Sequence, residues 1–232
     1  MGYRITARAP RSAEILLYAD IGEWLGGIGA DRFTRDLRAL GRVDTIRIRI
    51  NSMGGDAFDG LAIYQHLRQH PARKVVEIDS IAASIASVIA MAGDEIRIAK
   101  HAQIMIHEAA SGGTGPAAFH RDIADRLEAM TDTIAGIYAD RTKRPLSQIR
   151  EWMAAGGGIR GTYFSAQEAV SHGFANDIAD VERIAAYYDP EKHSHIGAVP
   201  PGLLLQLGPR PQRDAMASRV AALRARITTP PR

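Results

Sequence analysis

Ile78-Asp-Ser-Ile-Ala-Ala-Ser-Ile-Ala-Ser-Val-Ile-Ala-Met-Ala-Gly93 is the stretch on which the reading of this chain turns. It has helical length and apolar content, and its leading half is built largely of alanine and serine. The expectation is a buried helix whose first turn carries almost no side chains. Such a start lets other backbones come close and leaves amide N–H groups bare and pointing outward. Chemistry at that end would use Ser84.

Working outward, strand and helix signals alternate. Ala13–Asp20 reads as a strand, and Asp31–Leu40 as a helix with Phe33, Leu37 and Leu40 on one face. Thr45–Asn51 (TIRIRIN) alternates isoleucine and arginine, the period of a strand with one wet face. A Ser-Met-Gly-Gly turn leads to a helix from Asp56 through Leu67, closed by Pro71. Lys74–Ile78, Glu95–Ala99 and Gln103–His107 read as strands, the last ending in a histidine. After a Gly112–Pro116 loop comes a long helix, about 116–142, whose stripe (Phe119, Ile123, Leu127, Met130, Ile134, Ile137, Tyr138) calls for a partner surface. Pro145 opens a short helix at its first position, and Tyr163–Gly173 reads as a turn and helix with a glycine cap. The fold class is α/β.

Composition narrows the function. No run approaches the roughly 20 apolar residues of a membrane span, and no secretory signal pattern opens the chain. With no cysteine, disulfides, thiolate metal sites and a cysteine nucleophile are excluded, which fits a reducing cytoplasm. The net charge is +3, but residues 189–232 alone carry seven basic against three acidic side chains, so residues 1–188 sum to about −1. The body is therefore no basic nucleic-acid binder. Seven of the eleven prolines also fall in 189–232, so the expected organisation is a domain over 1–188 and a basic Pro-rich tail over 189–232. That tail ends in an amphipathic pattern of Met216, Val220, Leu223 and Ile227.

Three places could together build an acyl-transfer site. They are Ser84 beside the N–H of Ile85, the Gly54-Gly55 turn between strand and helix, and His107, 23 residues past Ser84. Nucleophile, base and backbone donors are what covalent acyl chemistry requires. Each piece alone has an ordinary reading as a small helix residue, a turn or a satisfied polar group. Gly-Gly lacks the Lys and Ser/Thr of a phosphate loop. The pairs His66/His70 and His193/His195 lack acid partners at a recognisable spacing, so neither a metal nor another cofactor is implied.

Taken together, four segments carry a resemblance. Asn51-Ser-Met-Gly-Gly55 resembles the Asn-Ser-Pro-Gly-Gly turn of Clp protease proteolytic subunits. Ala82-Ala-Ser-Ile-Ala86 with Ala90-Met-Ala-Gly93 is similar to their nucleophile helix, Met105-Ile-His-Glu108 to their histidine segment, and Phe164-Ser-Ala-Gln-Glu-Ala-Val170 to their closing element. The resemblance spans about residues 14–180, in family order. It implies a ClpP/crotonase-like spiral of repeated β-β-α units with a protruding handle helix, here 116–142, that joins rings. It implies Ser84 as nucleophile, His107 as general base and acid, the N–H groups of Gly54 or Gly55 and of Ile85 as oxyanion hole, and Gly112-Gly113 bordering a groove for an extended peptide.

Two departures qualify it. Gly161 stands where the family has its third catalytic residue, an acid, and Glu151 and Glu168 are the nearest acids in sequence. A glycine there suggests room for a side chain, so an introduced aspartate is expected to help, provided the glycine is not needed for a positive φ; otherwise an acid from elsewhere, Thr162 or water could orient the ring. Met53 in place of proline, the short N-terminal leader and the basic tail suggest the ATP-independent head maturation proteases of tailed phages and prophages. Those act on capsid and scaffold protein in the procapsid. The alternatives are the proteolytic subunit of an ATP-dependent protease served by a AAA+ unfoldase, and a catalytically silent assembly subunit of the same fold. More distant rivals are a CoA-binding hydratase or isomerase and a serine–lysine peptidase, the latter disfavoured by a total of four lysines.

Overall fold

The computed structural model describes residues 3–9 and 11–179. Everything expected of the tail over 189–232 lies outside the described residues.

Eight strands form one sheet of order β1-β2-β3-β4-β5-β8, with β6 pairing to β4 and β7 to β6. The strands are β1 (Tyr3–Ala9), β2 (Ser12–Leu17), β3 (Thr45–Ser52), β4 (Arg73–Ala83), β5 (Glu95–Ala99), β6 (Gln103–Ile106), β7 (Thr162–Ser165) and β8 (Asp177–Ala179). The helices are α1 (Ala30–Ala39), α2 (Ala57–Gln69), α3 (Ile85–Ala90), α4 (Ala117–Thr142), α5 (Leu146–Ala154) and α6 (Ala166–His172). Pairing is parallel from β2 through β5 and on to β8, whereas β1–β2 and β6–β7 are antiparallel. A mixed α/β fold of this kind matches the class read from the sequence. β1 and β8 were not anticipated, and residues 163–165, read as a turn, belong to β7, held extended by antiparallel pairing with β6.

The largest difference lies in the opening stretch. Residues 78–83 are not helix but the second half of β4, and the helix proper is only the six residues of α3. Period-two alternation explains the extension. Val76 and Ile78 are buried, while Glu77 and Asp79 on the other face meet Arg47 and Arg49 of β3, Arg49 binding Asp79 at 2.8 and 2.9 Å. Tyr18 adds its hydroxyl to Asp79. Cross-strand partners thus hold a run of small residues extended where local composition favours a helix.

The length of β4 positions the site. Its first half pairs with β5 over Val75–Ile78, and its second half pairs with β6 over Ile81–Ala83. In that second register Ala83 faces Met105, and the next N–H, that of Ser84, donates to the Met105 carbonyl at 2.9 Å. The elbow after β4 and the end of β6 are therefore brought side by side.

The long helix α4 divides into two halves. Ile134, Ala135, Tyr138 and Thr142 are buried in this chain's own fold, whereas residues 117–122 are exposed and Ile123, Leu127 and Met130 are half-buried. Only the outer half of the apolar stripe is left for a partner; Ile134 and Tyr138 belong to the core. α5 begins at Leu146, so Pro145 is its cap rather than its first residue. Ser165 and Glu168 form a reciprocal capping box at the start of α6, and Gly173 closes it in the left-handed conformation. Among the described residues no helix is long and apolar enough to cross a membrane.

Candidate active site

Ser84 occupies the turn between β4 and α3 with φ 53° and ψ −131°, a region that residues with a side chain seldom enter. Strain of this kind costs of order 1–3 kcal/mol and persists where the surroundings over-determine it. The surroundings here are tight. α3 is buried along its whole length, and Gly60 of α2 touches it so closely that an added Cβ would come within 2.1 Å of the Ile85 side chain. The Gly54-Gly55 turn presses on the other side: a Cβ on Gly54 would lie 2.7 Å from the Ser84 Cβ and 3.1 Å from the Ile85 nitrogen. This is the physical need for small residues on both sides of the elbow.

The Ser84 hydroxyl lies 2.6 Å from His107 Nε2. His107 follows the last residue of β6 and is half-buried, and burial holds its pKa below the ordinary imidazole value. The Gly158 carbonyl and the Glu108 carboxylate act in the opposite sense without cancelling that effect. A neutral imidazole within hydrogen-bond reach of a serine hydroxyl can take its proton.

Two backbone N–H groups beside the elbow are free to act as donors among the described residues. Gly54 N–H is engaged with Ser52 Oγ at 3.2 Å, so it is not available to a ligand. Gly55, with φ 141°, donates to no acceptor among the described residues; its neighbours Gly54 and Asp56 carry the bonds to Ile21. Ile85 N–H, at the first position of α3, is likewise uncommitted among the described residues. Of the two glycines read from the sequence, Gly55 is the one whose N–H is uncommitted among the described residues, and Gly54 makes the close approach to Ser84.

Residues 3–182 match the Clp protease family. The chain belongs to the Clp protease family. It is 30% identical over 174 residues to "ATP-dependent Clp protease proteolytic subunit 1" of Synechococcus sp. (strain CC9902), covering 72% of this chain and 84% of that protein. It is 31% identical over 186 residues to "ATP-dependent Clp protease proteolytic subunit 3" of Rhodococcus jostii (strain RHA1), covering 77% of this chain and 87% of that one. A Deinococcus radiodurans "ATP-dependent Clp protease proteolytic subunit" is 31% identical over 140 residues, which span 60% of this chain and 66% of that protein.

Within this Clp protease fold, Gly161 corrects an expectation. It has φ 58°, and an added Cβ would lie 1.9 Å from the Ile106 carbonyl oxygen and 2.6 Å from the His107 Cβ. There is no room for an aspartate. The loop instead packs its backbone on the histidine's strand, and Glu108 N–H donates to Gly158 O at 3.2 Å. Thr162 does not orient the ring either: its hydroxyl donates to Trp152 O at 2.7 Å, and no hydrogen bond joins it to His107 among the described residues. Glu168 is exposed and spent on its capping box, and Glu151 is exposed on α5. His107 Nδ1 is buried without a hydrogen-bond partner of good geometry among the described residues, and the Gly158 carbonyl is the backbone acceptor that bears on the ring.

Gly112 and Gly113 lie in an exposed, irregular segment between β6 and α4, and Gly113 packs toward the Phe119 ring. Residues 107–116 form no strand. Among the described residues no cluster of acids and histidines could hold a metal ion. A cleft of about 490 Å³ between β1 and α1, lined by Tyr3, Arg32 and Asp36 among others, shares no residue with the Ser84–His107 site.

Proposed function

We propose that this chain is a serine endopeptidase acting as a proteolytic subunit, with Ser84 as nucleophile and His107 as its proton acceptor. The observation that carries the reading is the 2.6 Å contact between Ser84 Oγ and His107 Nε2 at an elbow flanked by the uncommitted N–H groups of Gly55 and Ile85. Oγ attacks the scissile carbonyl carbon while its proton passes to Nε2. The carbonyl oxygen gathers the negative charge between the two N–H donors, each worth about 3–4 kcal/mol of barrier. Collapse of the adduct breaks the C–N bond, and the imidazolium returns its proton to the departing amine. Water, deprotonated by the same nitrogen, then releases the acyl group.

His107 works in this scheme without a carboxylate on Nδ1. Peptide docks beside Gly112-Gly113 as an added strand, and the outer half of α4 serves self-association into rings. The names of the relatives favour work alongside an ATP-driven AAA+ unfoldase. An ATP-independent head maturation protease acting on capsid and scaffold protein is the second reading, favoured by Met53 and by the basic, Pro-rich composition of 189–232.

A fluorophosphonate probe should label the wild-type protein at Ser84, and Ser84→Ala should abolish both labelling and peptide cleavage. Labelling that persists unchanged in the variant would exclude the assignment. Cleavage of a folded protein without nucleotide would favour the maturation reading over the ATP-dependent one.

A further inference from the structure

We infer that Tyr138 of α4 and Ser87 of α3 form a hydrogen-bonded relay that positions the Ser84 elbow against the strand leading to His107; the inference rests on the serine-peptidase reading above.

Ser87 is completely buried in an otherwise apolar helix, and a buried hydroxyl is costly unless its hydrogen bonds are made. Its Oγ meets three oxygens: Ser84 O at 2.6 Å, Met105 O at 3.0 Å and Tyr138 Oη at 2.7 Å. Two of these are carbonyls and can only accept. The single Ser87 O–H must therefore be shared between them, and the Tyr138 O–H must donate to Ser87. Burial raises the Tyr138 pKa well above the usual phenol range, which keeps that donor proton in place. The direction of the chain is fixed: Tyr138 to Ser87, and Ser87 to the carbonyls of Ser84 and Met105.

Met105 O also accepts the Ser84 N–H at 2.9 Å. The elbow is thus tied to β6 twice, once by Ser84's own amide and once through Ser87, at a point two residues before His107. A strained backbone such as Ser84's holds its geometry only when neighbours leave it no alternative. A Ser–Tyr pair in this position adds little net stability over an apolar pair of similar volume, since both hydroxyls leave water to make the bond. What it adds is direction. The relay anchors the nucleophile's carbonyl from the inner half of the same helix whose first residues, 117–122, are exposed.

Tyr138→Phe removes one hydroxyl and leaves Ser87 its carbonyl acceptors. It should lower kcat for a short peptide, and the Ser84 labelling rate, about five- to tenfold, the effect of one neutral hydrogen bond on a barrier. KM and oligomeric state should be unchanged. Ser87→Ala should do the same, and the double variant Ser87→Ala/Tyr138→Phe should be no worse than the worse single one, because both remove the same relay. The double variant leaves no unpartnered hydroxyl, so it serves if a single variant fails to fold. Wild-type kcat in folded Tyr138→Phe, or losses that simply add, would overturn the relay. If the wild-type protein is not labelled at Ser84, the peptidase reading falls, and the relay is then read from His107 by NMR titration of its ring. A relay that holds the half-buried ring in place predicts that Tyr138→Phe moves the titration toward the ordinary imidazole range, with Glu108, the charged group acting on the ring, unchanged. An unmoved titration would overturn it.

Discussion

Two glycine segments flank the candidate site, and they are built to different ends. On the serine's side, Gly54 and Gly55 both have positive φ, and both are hemmed in: an added Cβ would meet Ser84 Cβ at 2.7 Å in one case and Ile21 O at 2.0 Å in the other. That turn is tightly fixed in position and leaves the Gly55 N–H uncommitted among the described residues, the donor the proposed mechanism assigns to the oxyanion. On the histidine's side, Gly156, Gly157, Gly158 and Gly161 all have positive φ, yet the fit is uneven, because nothing lies within 4 Å of a Cβ placed on Gly157. This second segment bears on the histidine through the Gly158 carbonyl. The contrast suggests a site strong in stabilising an oxyanion and sparse in supporting its base.

The first side is the easier to break. Gly55→Ala asks a side chain to adopt φ 141° with its Cβ against the Ile21 carbonyl, so the turn must shift. Under the proposed mechanism one of two oxyanion donors then moves out of register. Turnover should fall about 10²–10³-fold, the usual cost of one such donor, with the circular dichroism spectrum retained. A folded Gly55→Ala protein with wild-type turnover would remove the turn from the site.

On the histidine's side the expected effect is smaller in turnover and larger in stability. An aspartate at 161 was attractive from the sequence because it would restore a carboxylate beside His107. The structure reverses that expectation, since a Cβ at 161 meets the Ile106 carbonyl at 1.9 Å in a left-handed conformation. Gly161→Asp should lower stability by about 2 kcal/mol or more and reduce peptide turnover, measured by denaturant melts and by peptide assay. A gain in turnover would mean that the 156–161 loop moves freely enough to admit the side chain.

These cases show what was legible beforehand. Ser84, His107 and the Gly-Gly turn could be picked out because the four segments have fixed order and spacing, and the fold class followed from alternating periods. The strand character of residues 78–83 was hidden because their alanine-rich composition favours a helix; the deciding signal was non-local, Glu77 and Asp79 answering Arg47 and Arg49 one strand away. The division of the α4 stripe was hidden for a related reason. A helical period shows that a face is apolar but not which neighbour covers it, and Tyr138 turned out to face Ser87 rather than another subunit. Gly161 could be seen to lack an acid, but its positive φ and its contact with Ile106 belong to tertiary structure alone.

The smallest expected effect gives the sharpest test of the contrast, because it asks whether Glu108 is the missing acid. Its carboxylate favours the imidazolium form of His107, whereas burial, the larger influence, disfavours it, leaving the pKa below the ordinary value. The base must be unprotonated to accept the serine's proton, so kcat/KM should rise with pH through the His107 pKa, with the acid limb below the ordinary imidazole range near about 6.5. Glu108→Gln removes a negative charge that had favoured protonation. The pKa should fall further, the limb should move to still lower pH, and the plateau should stay close to wild type. The backbone bond from residue 108 to Gly158 survives the change, so the loop keeps its place. A carboxylate that orients the ring in the manner of a full triad behaves quite differently, since replacing it by an amide costs about 10⁴ in rate. A pH profile of kcat/KM for the two proteins separates the cases: a displaced limb under an intact plateau leaves His107 supported by backbone alone, and a collapse of the plateau would make Glu108 the third member.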